Sequence, residues 1–368
     1  MSEPRRRSES RWSSRWAHRS RCWIGLGVIG LVTTFSWLPP SLARAAPRRP
    51  ELVTPEIETA LRQAANYLVR TQNRDGSWNN MGSWGSYPTA MTALAGTALL
   101  MTGNTPTRGP NGRSVRKAVD FLLRISQPNG LIATRSEEGR SLHGHGFSLL
   151  FLAQVYGMEE ERRKQVRVHD VLTRGVRITE RSQSRAGGWL YRPESDGDEG
   201  SVTVTQIQGL RACRNSGIQV NTTVIRNAVR YIERSMNSDG GVRYRLAGGG
   251  SSRPPITAAA VATLYNAGAY DSPLADRLMS YCERTISVNA RSGGWGHFYY
   301  THLYYAQAKY QRGGREWSRY YKAITRRLLN TQSKDGSWMG DNVGTVYGTS
   351  IAVAILALPY QYVPIYQR

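Results

Sequence analysis

From about residue 56 onward, apolar positions fall into two alternating kinds of segment. One kind is amphipathic, with apolar residues at helical spacing and an Arg-rich opposite face, as in residues 64–72 and 118–123. The other is apolar or small on all sides, as in residues 88–96, 255–262 and 348–356. The first pattern predicts half-exposed helices and the second predicts helices buried all round. Each amphipathic segment runs into a turn that carries Gly and often Trp. The turns read Asp75-Gly76-Ser77-Trp78, Pro128-Asn129-Gly130-Leu131, Ala186-Gly187-Gly188-Trp189, Asp239-Gly240-Gly241-Val242, Ser292-Gly293-Gly294-Trp295 and Asp335-Gly336-Ser337-Trp338.

With Gly76, Gly130, Gly188, Gly241, Gly294 and Gly336 as markers, the steps are 54, 58, 53, 53 and 42 residues. Six helical hairpins therefore fill the chain from residue 56 to 368 and leave no room for a second domain. Six half-exposed helices alternating with six buried ones imply two concentric rings: an all-α, single (α/α)6 toroid. An open solenoid would need polar caps on its terminal buried helices, and residues 351–358 are wholly apolar. In each turn a Gly takes the left-handed conformation that ends a helix, and the Trp has room only against helix ends. Gln72 and Gln332 precede such turns, where their amides can bond loop backbone.

The spacing Gln-x-x-Asp-Gly-Ser-Trp, at residues 72–78 and 332–338, resembles the QW repeat of squalene cyclases and protein prenyltransferases. The resemblance covers residues 56–368, with two full copies and four degenerate ones. It implies the toroid and an isoprenoid-like ligand. In squalene-cyclase-like enzymes an Asp-x-Asp-Asp motif opens an inner helix and its middle Asp protonates an alkene. Here that implies Asp198, flanked by Asp196 and Glu199, in Asp196-Gly197-Asp198-Glu199. The plain alternative is a solvated acidic loop or a charge at a helix N-terminus. The prenyltransferase zinc set is not matched. Its His falls on Tyr300, in Phe298-Tyr299-Tyr300-Thr301-His302, and neither Cys213 nor Cys282 has a suitable Asp beside it. No metal and no cofactor is expected.

His143-Gly144-His145 opens another buried helix, where the pair could bind a metal, with His302 as the one inner-ring candidate for a third ligand, move a proton, or simply hydrogen-bond in a pocket, the reading favoured here. Equivalent positions of a ring meet at one mouth. Inner helices starting near Pro88, Ser141, Ser201, Pro255, Phe298 and Gly344 would gather Tyr87, His143, His145, Asp198, Thr203, Tyr300, His302 and Tyr347 there. Tyr299, Tyr304 and Tyr305 are divided between that cavity and helix packing. The mix of aromatic faces and few hydrogen-bonding groups suits a ligand pocket. The expected function is an exported protein that holds an apolar or isoprenoid-like molecule, or a peptide segment, without catalysis. A class II terpenoid-cyclase-like enzyme using Asp198 is the alternative. A carbohydrate-active (α/α)6 enzyme, with carboxylates drawn from Asp198, Glu199 and Asp341, is a further one.

Composition changes this picture only at the N-terminus and in the charge. Residues 1–21 carry seven Arg, an apolar run follows to Leu38, and Ala43-Arg44-Ala45 offers a cleavage site. This reads as a signal peptide over 1–45 and a short linker over 46–55, with export to the periplasm or beyond; an uncleaved anchor is the alternative. The formal net charge is +23 in 368 residues. It allows contact with an anionic envelope surface, and export disfavours nucleic acid as a partner.

Overall fold

A computed structural model of the chain describes residues 49–79, 82, 85–194, 197–290 and 297–367. The signal-peptide segment, Asp196 and Trp295 lie outside the described residues. The helical unit spans Arg49–Arg368. Residues just before the first helix are packed onto it: Val53 is buried, and Arg49 bonds the Glu58 carboxylate at 2.7 Å.

The hairpins of the ring are α1 (Pro55–Thr71) with α2 (Pro88–Met101), α3 (Gly112–Ile125) with α4 (Ser141–Tyr156), and α5 (Arg162–Arg181) with α6 (Gly200–Asn215). They continue as α7 (Thr222–Ser235) with α8 (Pro254–Asn266), α9 (Pro273–Thr285) with α10 (Phe298–Arg312), and α11 (Gly314–Thr331) with α12 (Thr345–Ala357). Even-numbered helices pack on one another in order, and α12 packs on α2, closing the inner ring. Odd-numbered helices lie outside. In α2 every residue from Thr89 to Met101 is buried, whereas α7 buries only Val224, Ala228, Tyr231, Ile232 and Ser235. The fold is the (α/α)6 toroid, and burial on two sides explains why the inner helices have no polar face.

A repeated hydrogen-bond set joins the rings. The indole N–H groups of Trp78, Trp189 and Trp338 donate to the carbonyls of Leu68, Thr179 and Leu328 at 2.7–2.8 Å, ten residues back in each case. Their backbone N–H groups donate to Thr92, Thr203 and Thr349 Oγ1 on the next inner helix, each at 3.0 Å. Val242 does the same to Thr257 at 2.9 Å. Gln72, Gln183 and Gln332 each clamp the turn to the following outer helix, bonding Gly76 and Ser114, Gly187 and Val224, and Gly336 and Ala60. The bond from Gln332 to Ala60 spans 272 residues and closes the ring.

The left-handed turn residues in the third and fourth repeats are Gly187 and Gly240, one place before the marker glycines at 188 and 241. A positive φ is what the turn requires of Gly, and these residues carry it at 95° and 86°. At Gly336, with φ of 90°, a Cβ would also lie 2.5 Å from the Gln63 carbonyl oxygen. The turn of the last repeat is wedged against α1.

Candidate functional site

The first turns of all six inner helices face a cavity of about 290 Å³. Its floor is apolar, formed by Ala90, Met91, Leu94, Phe147, Ile256 and Leu303. Tyr87, Tyr191, Tyr244, Tyr300 and Tyr347 supply aromatic walls, and Arg140, Arg253, His143 and His297 supply nitrogen. Several of these sit at the residue immediately before an inner helix: Tyr87, Arg140, Arg253 and His297.

Carboxylates meet alternate helix starts. Glu137 accepts the Thr89 N–H at the start of α2, at 3.0 Å. Glu199 is the N-cap of α6, and Asp341 accepts the Tyr300 N–H of α10 at 3.0 Å. Negative charge is favourable there because the first N–H groups of a helix are unpaired. Of the intervening helices, α4 and α8 are preceded by Arg140 and Arg253 instead, and α12 by Gly344. The Arg140 guanidinium lies 5.2 Å over the Tyr191 ring, and Arg253 lies 4.5 Å over Tyr244. The two tyrosine hydroxyls hydrogen-bond at 2.6 Å, so the four side chains form one cationic edge of the cavity.

Glu199 is fully buried. One oxygen accepts the Ser201 N–H and the other the Val202 N–H, both at 2.9 Å. The Ser201 hydroxyl, on the cavity wall, lies 2.7 and 2.8 Å from the two oxygens. On its other side that hydroxyl meets His143 Nε2 at 2.9 Å. Burial pushes the His143 imidazole below its ordinary value; Glu199 opposes this and Arg140 adds to it.

The structure brings Tyr87, His143, Tyr300 and Tyr347 together at the cavity. It places the other expected mouth residues behind the wall. Asp198 Oδ2 accepts from Tyr231 Oη at 2.9 Å and from the Leu246 N–H at 2.7 Å. Thr203 receives the Trp189 N–H. His145 occupies the position that carries Thr92, Thr257 and Thr349 in other repeats, and Nδ1 receives the Ile132 N–H at 3.1 Å. Its Nε2 therefore carries the proton and donates to Thr179 Oγ1 at 3.0 Å. Burial lowers its pKa to about 4. His302 Nδ1 meets Tyr320 Oη at 2.9 Å, and burial, then Arg327, lower it to about 3.

Asp341 has φ of 46°, unusual for a residue with a Cβ. Burial raises its carboxyl pKa against the backbone donors of α10, and Oδ1 is buried without a hydrogen-bond partner. Neither it nor Asp198 nor Glu199 lines the cavity. Cys213 and Cys282 are buried free thiols pushed well above the usual thiol range. Among the described residues no group of three His, Cys, Asp or Glu is placed to hold a metal ion.

No family model matches the chain. It is 29% identical over 207 residues to drimenyl diphosphate synthase of Streptomyces showdoensis, which covers 55% of this chain and 34% of that protein. The chain thus spans about a third of that relative's length. The type II terpene cyclase MstE from Scytonema superposes with a TM-score of 0.58 at 15% identity, covering 86% of this chain and 100% of that one. The α-1,6-mannanase GH76A of Salegentibacter sp. HEL1_6 does so at 0.60 and 10% identity, over 83% and 99%. The two structures share the toroid alone. The sequence relative adds a similarity to a diphosphate synthase over about half of this chain. The expectation of a non-catalytic binding protein is corrected by these findings. The sequence relative is a synthase, and MstE is known with its substrate geranylgeranyl dihydroxybenzoate and with its product. The cavity suits an apolar small molecule.

Proposed function

We propose that the protein is a terpenoid cyclase of the protonation-initiated class, acting on a short isoprenoid with an anionic head. The observation that carries this reading is the cavity. Five tyrosine faces surround an apolar floor at the converging helix starts, and aromatic faces stabilise cations by about 0.5–2 kcal/mol each, more where water is excluded. Its volume of about 290 Å³ lies at the lower edge of ordinary ligand pockets, roughly 300–1,000 Å³, and favours a short chain over a peptide. The Arg140–Tyr191–Tyr244–Arg253 edge supports a phosphate-class head group, as the name of the drimenyl diphosphate synthase relative does for that protein.

Within the acidic motif, Glu199 is the acid whose proton has a route to the cavity, through the Ser201 hydroxyl. Asp198 is directed toward α7. The test is incubation of the protein with farnesyl diphosphate and chromatography of the products. The wild type should form a cyclic isomer that retains both phosphates, and Glu199→Gln should lose turnover by roughly 10²–10⁴-fold. Asp198→Asn should keep turnover in whatever fraction stays folded. Loss of turnover in folded Asp198→Asn or Asp341→Asn moves the acid there. Absence of any cyclic product from the wild type ends the cyclase reading for this substrate.

A further inference from the structure

The cyclase reading leaves one step without an owner. A reaction begun by adding a proton to an alkene must end by removing one from the cyclised cation. The hydrogen-bond chain at the start of α6 limits what can do so. The Ser201 hydroxyl has one proton, and both Glu199 oxygens lie within 2.8 Å of it. Once Glu199 has given its proton to the substrate it is a carboxylate, and a carboxylate only accepts. That proton is therefore committed to Glu199, and the contact at 2.9 Å from His143 Nε2 must be donated by the ring. The imidazole is then held as the Nε2–H tautomer, and Nδ1 keeps its lone pair. Nδ1 has no hydrogen-bond partner among the described residues, and His143 lies on the cavity wall.

We infer that His143 is the base that ends the reaction, with Ser201 and Glu199 as its positioning residues. The inference rests on the cyclase reading. The Nδ1 lone pair takes a proton from the carbon next to the cationic centre, and the C–H electron pair becomes the new C=C bond. The imidazolium so formed keeps Nε2–H on Ser201, whose hydroxyl points to the Glu199 carboxylate. This relay to a negative charge stabilises the cation without proton transfer along it. The proton leaves Nδ1 to solvent, matching the one that entered at the start, so the overall change is an isomerisation without a co-reactant. Burial, which keeps this imidazole neutral before the step, agrees with the role. His145, two residues on, is excluded because both its nitrogens are already bonded.

The experiment uses the whole chain with farnesyl diphosphate and two variants. His143→Gln can still donate to Ser201 but offers no base of comparable strength; His143→Phe removes both functions. Both should divert product from the wild-type alkene toward water-captured alcohol or other alkene isomers, by on the order of 10²-fold in ratio, while substrate is still consumed. A merely structural bond to Ser201 predicts wild-type products from His143→Gln, and that result overturns the inference while leaving the cyclase reading intact. A wild type that consumes no substrate overturns both. Nitrogen NMR of ¹⁵N-histidine-labelled protein gives a check independent of turnover. A neutral Nε2–H signal at pH 7 that is lost in His143→Phe is expected, and an Nδ1–H tautomer at this position would overturn the assignment.

Discussion

Two layers of the molecule lie at the same end of the inner ring and obey different rules. In the outer of the two, Trp78, Trp189 and Trp338 make the same pair of hydrogen bonds, the indole N–H to a carbonyl ten residues back and the backbone N–H to a threonine on the next inner helix. In the inner one, the residues at the helix starts are Tyr87, Arg140, Glu199, Arg253, His297 and Gly344, no two neighbours alike. Repetition builds the ring because each hairpin needs its neighbours to bury its apolar faces. Chemistry resides where the repetition is broken, since a cavity with six identical walls has no direction in which to orient a substrate. Residues 143 and 145 show the boundary at close range: one histidine serves the repeated layer and the other serves the cavity.

Substitutions can break this contrast in a graded way. The largest effect should come from the repeated layer. Trp338→Ala removes a fully buried ring and should cost on the order of 3–5 kcal/mol, read as a fall in thermal midpoint. Unchanged thermal stability would sink the assignment of that layer to the fold. Acid should act next. His145 and His302 are neutral in the fold, with pKa values of about 4 and about 3 against 6.5 for a free side chain. Between those values the unfolded chain binds more protons, so stability holds above pH 6.5 and falls as pH drops below it, by roughly 3 kcal/mol for His145 at pH 4. His145→Thr restores the residue used at this position by other repeats and should flatten part of that slope in melts between pH 7 and 4. A slope unaltered by His145→Thr would show that the loss lies elsewhere. A smaller effect is expected of Thr349→Val, which removes one acceptor of a Trp N–H and should cost about 1 kcal/mol in denaturant titration. The smallest belongs to Tyr347→Phe, two residues away on the cavity wall. It should leave stability within about 0.5 kcal/mol and show itself only in turnover or products.

The toroid was legible because Gln72 to Trp78 and Gln332 to Trp338 spell out the turn, and because helices such as residues 348–356 have no polar face to expose. Half of the expected mouth was legible for the same geometric reason: Tyr87, His143, Tyr300 and Tyr347 are near equivalent points of the ring. Asp198 illustrates what was not. Helix α6 starts at Gly200, one residue earlier than expected, which makes Glu199 its N-cap and turns Asp198 outward. A one-residue shift of a helix start is below what composition resolves. Helix register separates His145 and His302 from His143: like Thr92, Thr257 and Thr349 they are the fourth or fifth residue of an inner helix, whereas His143 is the third. Nothing in the repeat pattern marks Tyr191, Tyr244, Arg140 or Arg253. They belong to the irregular connectors between outer and inner helices, or to their last residues, where no periodicity points.

The clamp between Gln332 and Ala60 has a consequence for how the chain reaches its shape. The flank of α1 that receives the last repeat must wait, uncovered, until residues 272 positions later have been made. At roughly 5–20 residues per second of synthesis, that is a delay of about 14–54 s, far longer than the folding of a single hairpin. During that interval the growing helical arc presents an apolar edge at each end, and a second arc is as good a fit for either edge as the missing part of its own chain. Exchange of helical hairpins between molecules, giving linked rings or open chains of arcs, is the error that this late closure invites, and it should grow with the rate of expression.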